Sequence, residues 1–300
     1  MCFRNCSLFK FSGKSVFDAI AVCTGHYDKP HIPPINGMNL YSGKYIHSKE
    51  YSVPEEFTGS HVLIVGAHAS GVDLTLDLYE HGINVDISHR RPEPVPLLPQ
   101  IRQFNEPVRF DKDYVYFKDG NRGYKFDVII FATGYDTNLE FIHPKCLLET
   151  DILPRPLYNF MVNPHYTSMA LFNQCARIAP FLFSEYQALY FRDILLKKII
   201  LADNQVLLND SMKLTQRLPS KRLKYQYDLD LGQFKYYRNL AQQCGMILEG
   251  ENDMQALYNL YDVVSQDRAM NPSNYRNKEY TFIKEINTFK MIKDWNVKDE

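Results

Sequence analysis

The 300-residue chain is 45% hydrophobic and 14% aromatic, enough to bury one substantial core or two smaller ones. Its 34 Lys and Arg nearly balance 35 Asp and Glu, so no global field draws it to nucleic acid or an anionic membrane surface. Six cysteines, at 2, 6, 23, 146, 175 and 244, form no Cys-x-x-Cys pair and no metal-ligand spacing, which argues against a zinc site or disulfide framework and suits reduced thiols.

The first residues, "MCFRNCSLFKFSGKSVF", are not a signal peptide, because Lys10 and Lys14 interrupt a short apolar stretch. "FDAIAVCTG" (17–25) reads as a buried parallel strand that leaves its sheet through the Thr24-Gly25 turn. Its pattern returns as "FDVIIFATG" (126–134), identical at five of nine positions and ending in Thr133-Gly134, so two related domains are expected. Cys23 and His26 make a lone Cys-x-x-His pair, a spacing of packing rather than of metal ligation. "YSGKYIHSKEY" (41–51) reads as a loop and strand, with His47 by default a satisfied structural histidine.

"HVLIVG" then predicts a strand, "SGVDLTLDLYEHG" a helix with Leu74 and Leu78 on one face and Gly82 as its stop, and "INVDISHRR" the next strand. This is βαβ order. The four prolines of "RPEPVPLLPQ" exclude helix and central strand and leave an extended loop. "DYVYFKDGNRGYKFDVIIF" follows as a strand, an Asp-Gly turn and the second buried strand, closing a compact α/β module over 58–134. Farther on, "TSMALFNQ" suggests a strand. "SEYQALYFRDILLKKIILA" predicts a helix opened by Ser184 with Gln187 three residues on, as in a capping box, and with Ala188, Phe191, Leu195 and Ile199 along one side. After about 205 the chain is rich in Asn, Lys and Tyr, with helical fragments and no legible motif. No apolar run approaches the roughly 20 residues of a bilayer-spanning helix. A soluble, cytoplasmic protein is the expectation, with peripheral attachment left open.

The chemistry lies in "VLIVGAHASG" (62–71). In a phosphate-binding βα turn the first glycine makes the tight turn, the second lets backbone approach a pyrophosphate, and the last permits close helix packing. Gly66 and Gly71 keep the first and third roles, while His68 stands in place of the second. The amides of Ser70, Gly71 and Val72 would fall in the first helical turn, where the helix dipole favours an anion. An ordinary strand-to-helix turn has the same outline. NAD-binding units place an acid at the end of the following strand, about 20 residues past the last glycine, whereas a 2′-phosphate calls for cations. Here stand Arg90 and Arg91, with no acid beside them in sequence and Asp86 too early in the strand, so NADP(H) is favoured over NAD(H) unless these are simply solvated arginines. There is no Gly-x-Ser-x-Gly elbow and no His-Glu-x-x-His to support a hydrolase, and no Tyr-x-x-x-Lys pair placed for a single-domain reductase.

Tyr41, Gly43, His47 and Tyr51 fit the aromatic-x-Gly-x-x-x-His-x-x-x-aromatic signature of the flavin-containing monooxygenases, followed as in that family by a Gly-x-x-x-Ser-Gly loop. The resemblance takes in "CTGHYDKPHIPPI", "FATGY" and "PLYNFMVNPHYTSMALFNQ…FSEYQALYF", so it covers most of 17 to about 200. It implies an α/β fold of two Rossmann-like dinucleotide-binding domains, with an NADPH domain inserted in an FAD domain. Residues 1–57 would be a remnant of the first FAD-domain segment, 58–134 the NADP-binding domain, and 135–300 the return to the FAD domain plus a C-terminal helical region.

The family reaction is reduction of FAD by NADPH, addition of O2 to give a flavin C4a-hydroperoxide, and oxygen transfer to a soft nitrogen or sulfur nucleophile, the activity class of N,N-dimethylaniline monooxygenase. Carried over, Gly66, Ser70, Gly71, Val72 and Asp73 match the NADP loop, and Arg90, with Arg91 beside it, the 2′-phosphate contact. Thr24-Gly25 and Thr133-Gly134 mark the turns between domains, and Gln187 lies near the flavin unless it simply caps its helix. The family's FAD loop, and the Asn implicated in handling oxygen, match nothing after residue 1. The FAD domain is therefore expected to be truncated at its N-terminus, no catalytic residue is assigned, and an inactive remnant that binds NADP(H) without flavin is the alternative. The strand at 17–25 would then be an exposed edge.

Overall fold

In the computed structural model the described residues are 15–91, 93–118, 120, 122–136, 139–146, 156–216, 227–246, 251–283 and 288–294. Cys2, Cys6, Lys10, Lys14 and the Asp119 of the expected Asp-Gly turn lie outside them. The chain divides into two compact units: a helical unit of Met1–Gly25 with Phe141–Met246, and a sheet unit of His26–Glu140 with Ile247–Glu300. The fold is α/β and Rossmann-like, with His26–Glu140 inserted in the sequence of the helical unit. Contacts draw both 26–57 and 247–300 to the module outlined as 58–134.

In chain order, β1 (Ile20–Val22) belongs to the helical unit. In the sheet unit follow β2 (Lys29–Pro30), β3 (Lys44–His47), β4 (His61–Val65), α1 (Ala69–Glu80), β5 (Asn84–Ser88) and β6 (Gln103–Phe104). Next come β7 (Pro107–Phe110), β8 (Val115–Phe117), β9 (Gly123–Tyr124), β10 (Val128–Phe131) and β11 (Tyr135–Asp136). The central sheet is five-stranded and parallel, in the order β3-β10-β4-β5-β6.

Apolar runs such as Val62–Val65 and Val128–Phe131 form strands buried on both faces, the usual state of parallel sheets. Val62, Ile64, Val128 and Ile130 turn to the face covered by α1, where Leu78 is fully buried. Leu63, Val65, Ile129 and Phe131 turn to the other face, against Phe110, Val115, Phe117 and Phe126. That second cover is a three-stranded antiparallel sheet, β7-β8-β9. The expected hairpin differs accordingly: β8 turns back on the short β9 and not on β10, which is fully committed to β3 and β4.

The stop of α1 is a Schellman motif: Gly82, at φ 73°, donates to the Tyr79 carbonyl and Ile83 to the Leu78 carbonyl, while Ile83 and Leu78 share one apolar cluster. At its other end, Gly66 (φ 115°) and Gly71 allow a backbone approach that no side chain could share. A Cβ on Gly71 would lie 1.8 Å from the Gly66 carbonyl oxygen, and one on Gly66 would lie 2.5 Å from that of Ala132.

The helical unit contains β1, β12 (Met169–Leu171), β13 (Cys175–Ala176), α2 (Pro180–Leu195), α3 (Asn204–Gln216), β14 (Tyr227–Asp228) and α4 (Gly232–Gln243). Three expectations are corrected there. Among the described residues β1 pairs in parallel with β12 alone, and it is not a buried strand: Ile20 is 52% exposed and only Val22 is buried.

The helix expected to open at Ser184 begins a turn earlier, with Pro180 at its first position and Ala179 as N-cap, so no capping box forms and Gln187 is mid-helix. The Gln233 side chain takes over as cap, accepting the Ala179 N–H at 2.7 Å. The buried face of α2 is accordingly Phe183, Gln187, Tyr190 and Phe191, whereas Ala188 and Leu195 are exposed. Phe183 and Tyr186 stack on Tyr236 and Tyr237 of α4 at 5.1 Å each, and these aromatic contacts set the orientation of α2.

Past α4 the sheet unit resumes with α5 (Glu251–Met270) and a hairpin of β15 (Lys278–Ile283) and β16 (Thr288–Asp294), which composition alone did not reveal. Among the described residues no helix is long and apolar enough to cross a membrane.

Gly71→Ala tests the close approach beneath the loop. The variant is expected to lose about 3 kcal/mol of unfolding free energy in urea, because backbone and not a flexible side chain must yield. A loss below about 1 kcal/mol would show that α1 slides freely on β4.

Candidate nucleotide site and the signature strand

The loop between β4 and α1 sits at the carboxyl edge of the sheet, where open α/β folds bind ligands. The Gly66 N–H donates to the Ser88 carbonyl at 2.8 Å, which ties the loop to the end of β5. His68, the residue in place of the middle glycine, has φ −88° and is exposed, so nothing in its backbone conformation demands glycine. It is the N-cap of α1 and makes no side-chain cap bond.

Of the three amides expected to face an anion, that of Val72 is already given to the His68 carbonyl at 3.0 Å. The first-turn donors without an intrahelical acceptor are those of Ala69, Ser70 and Gly71. Asp73 is likewise engaged: Arg276 donates to its carboxylate at 2.6 Å, neutralising a charge that would oppose an anion at the helix start.

At the end of β5, Arg90 and Arg91 are exposed. The acid missing beside them in sequence is supplied in space, because Glu106 lies 3.8 Å from the Arg90 Nε and also pairs with Lys118 at 3.1 Å. With Arg90 85% exposed, this is a loose surface pair of little energetic weight, and the guanidinium stays available. Asp86 is only 1% exposed and is held by His61 at 2.8 Å and by Arg102 at 2.6 Å. Burial pushes its carboxyl upward, yet the bonds from His61 and Arg102 outweigh that and hold it below the usual carboxylate range. Both of its oxygens are committed to these partners.

The signature residues fasten β3 to this site. The Tyr41 hydroxyl donates to the Phe126 carbonyl just before β10, and burial pushes its pKa up to about 12. Gly43 is where the chain slips past that ring: a Cβ there would lie 2.6 Å from it. Lys44 N–H then donates to the Asp127 carbonyl at 3.0 Å, starting the β3-β10 ladder.

His47, fully buried, accepts the Lys49 N–H at Nδ1 (3.1 Å), so its Nε2 carries the proton and donates to the Gly134 carbonyl at 2.9 Å. Tyr51 stacks on Phe57 and donates to Asp77 of α1 at 2.6 Å, and burial with that carboxylate beside it raises its pKa. Position by position, the signature thus grips the start of β10, the turn after β10, and the loop's helix.

Gly134 (φ 86°) also accepts the His31 N–H, and the Thr133 hydroxyl donates to the His31 carbonyl, so this turn is knitted to the β2-β11 pair. Thr24 and Gly25 (φ 72°) are exposed in the described part of the chain, at the corresponding turn after β1. Gln187, in the helical unit, is fully buried: its Oε1 accepts the Asn173 N–H at 2.9 Å and its Nε2 donates to the Tyr236 hydroxyl at 3.1 Å. Among the described residues no group of three or more His, Cys, Asp or Glu could hold a metal ion.

Sequence reasoning missed His89, whose Nδ1 is buried without a partner at the end of β5, and Asn173, whose Oδ1 is buried without a partner beside Gln187. The signal for the first was legible, as it stands in "SHRR".

A loop-helix junction at the carboxyl edge of a parallel sheet, beside two exposed arginines, has the layout of a dinucleotide-binding α/β protein. Residues 10–97 match the flavin-binding monooxygenase-like family. The flavin-containing monooxygenase FMO GS-OX-like 7 of Arabidopsis thaliana is 31% identical over 242 residues, which is 76% of this chain and 52% of that protein. The S-allyl-L-cysteine S-oxygenase of Allium sativum superposes with a TM-score of 0.74 at 28% identity, over 87% of this chain and 61% of that one. Tmm from Pelagibacter sp. strain HTCC7211, at 22% identity and a TM-score of 0.77 over 93% of this chain and 63% of that one, shares the fold. These matches support a protein of the flavin-containing monooxygenase type. The chain spans about half the length of the curated relatives it matches.

His47 makes one contribution to the pH dependence of stability. Burial holds its imidazole below the ordinary 6.5, the Gly134 bond only partly offsetting this. The folded chain therefore takes up this proton less readily than the unfolded chain. His47 contributes nothing to the pH dependence well above 6.5 and removes stability as pH falls below 6.5 toward its folded value. In urea titrations from about pH 7 to about pH 5, His47→Gln, which keeps a donor for Gly134 but cannot titrate, is expected to lose less stability than the parent. Equal losses would place the acid sensitivity elsewhere.

Proposed function

We propose that this protein acts as a flavin-containing monooxygenase, using NADPH and O2 to oxygenate a soft nitrogen or sulfur nucleophile with FAD as its flavin. The observation that carries the reading is the bonding of the signature residues: Tyr51 holds α1 through Asp77 and His47 holds the turn at Gly134, so the family's marker is built into the nucleotide site. A sulfur substrate is the better supported choice, because the garlic relative is described as an S-oxygenase. A cytoplasmic setting accords with the free Cys23, Cys146, Cys175 and Cys244.

The residues present fit the cofactors. Ala69, Ser70 and Gly71 offer first-turn amides to a pyrophosphate, and Arg90 and Arg91 offer cations to a 2′-phosphate. The orphaned Nδ1 of His89 fits a ribose edge, and the orphaned Oδ1 of Asn173 fits a donor from a bound group beside Gln187. FAD, when bound, supplies the electron relay between NADPH and O2. The chain's own part is to hold the dinucleotide against α1 and to keep the Gly134 turn fixed.

A second reading, NADP(H) binding without flavin, is favoured by Gln187, which spends its amide on Asn173 and Tyr236 and is fully buried.

Calorimetric titration with NADP+ and NAD+ tests the nucleotide site. Arg90→Ala is expected to weaken NADP+ by about 10-fold and leave NAD+ unchanged, and an equal loss for both would remove the 2′-phosphate role. The visible spectrum with added FAD then separates the two readings. Stoichiometric flavin with NADPH-dependent oxygen uptake supports the monooxygenase, and a colourless protein that still binds NADP+ supports the second reading.

A further inference from the structure

Ser88 receives the loop's Gly66 N–H, and His89 follows it directly, so the imidazole sits at the junction of β5 with the loop. The amide of Gln103 is fixed by backbone on both sides: its Nε2 donates to the Val95 carbonyl at 2.7 Å and its Oε1 accepts the Val95 N–H at 2.8 Å. The atom facing His89 Nε2 at 3.0 Å is that same Oε1, an acceptor, so Nε2 must carry the proton. In the neutral ring Nδ1 is then a bare lone pair, and it is the atom buried without a partner. A buried acceptor left without a donor is costly, and in native structures it needs a cause. Its cover is shallow, since His89 itself is only half-buried and Arg90 and Arg91 are exposed.

We infer that His89 Nδ1 accepts a hydrogen bond from a ribose hydroxyl of the adenosine half of a bound dinucleotide, with Gln103 as the positioning residue that sets its tautomer. The inference rests on the nucleotide reading above. In NAD-binding units a carboxylate at this edge accepts from the ribose. Asp86 is unavailable, being held by Arg102 and His61. His89 supplies an acceptor without adding negative charge next to the 2′-phosphate that Arg90 would bind. The 3′-hydroxyl is common to NAD and NADP, so the contact serves both, and discrimination falls to the arginines beside it.

The test is calorimetric binding of NADP+ and NAD+ to the whole chain and to three variants. His89→Gln keeps an amide at the ε position for Gln103 but removes the δ acceptor. It is expected to weaken both dinucleotides by the same factor, about 3- to 10-fold, the worth of one hydrogen bond. His89→Asn keeps a polar atom at the δ position and is expected to stay within about 2-fold of the parent.

In the unaltered chain, the ¹⁵N resonance of His89 Nδ1 is expected to move on adding NADP+, which a purely structural histidine would not show. Parent-like binding by His89→Gln, with Arg90→Ala still losing NADP+ selectively, would overturn this inference and leave the nucleotide reading standing. A loss confined to NADP+ would overturn the hydroxyl assignment in favour of a phosphate contact. Failure of the parent chain to bind either dinucleotide would overturn both.

Discussion

Three pieces of backbone converge at Gly66 with no room for a side chain. Its carbonyl lies where a Cβ on Gly71 would go, its own missing Cβ would strike the Ala132 carbonyl, and its N–H is given to Ser88. This close approach fixes α1 on β4, β4 beside the exit of β10, and β5 against the loop in one step. Everything proposed for the nucleotide site depends on it. The amides at the start of α1, the arginines after β5 and the turn after β10 keep their mutual positions only while these strands end together. Because the pieces in contact are main chain, relaxation is expensive, and rigidity here costs no side-chain entropy.

The signature strand extends that constraint outward. Among the described residues β3 has a sheet partner on one side only, β10, so the ladder alone would leave it free to fray. Tyr41 and His47 pin it at both ends of β10, through Phe126 and Gly134, and Tyr51 reaches across to Asp77. Three of these groups are buried or part-buried hydrogen bonds, each worth about 1 kcal/mol net but more if one partner is left unsatisfied. Spacing explains their pattern. Gly43 lets the chain pass the Tyr41 ring, the strand carries it to His47, and a single 3-10 turn, Ser48–Glu50, brings Tyr51 within reach of α1. That turn is itself capped by His47 and Glu50, so the histidine serves both the turn and the clamp.

Legibility in the sequence followed how local the cause was. The helix α1 was readable because its period, its glycine stop and the loop before it all lie within a few residues. The fold class was readable for the same reason, from apolar runs alternating with one amphipathic helix. What failed were features whose cause lies far along the chain. Ser184 and Gln187 have the spacing of a capping box, but Gln233 of α4 caps that helix at Ala179, and aromatic stacking with Tyr236 and Tyr237 decides its buried face. The strand at Ile20–Val22 is apolar like Val128–Phe131, yet among the described residues one has a single partner strand and the other two, which no local pattern encodes. The shared Asp of those repeats has a reason visible only in space: Asp127 accepts the His61 N–H at 2.8 Å and so sets the start of β4.

Charge placement explains why the edge of β5 suits a phosphorylated ribose. Alternation along the strand sends Val85 and Ile87 to the α1 face and Asp86 to the other, where Arg102 and His61 neutralise it. The one acid in the strand is thereby removed from the ligand edge by the pleat itself. What remains at that edge is His89, Arg90 and Arg91, with Glu106 as a loose counter-ion. A ligand phosphate would replace a partner 3.8 Å from an 85% exposed guanidinium, an exchange that forfeits almost nothing because that pair is largely screened. The same phosphate beside a carboxylate would face repulsion instead. In the proposed nucleotide reading the pleat and the arginines therefore act together: one keeps the acid of β5 off the ligand edge, and the other leaves cations there.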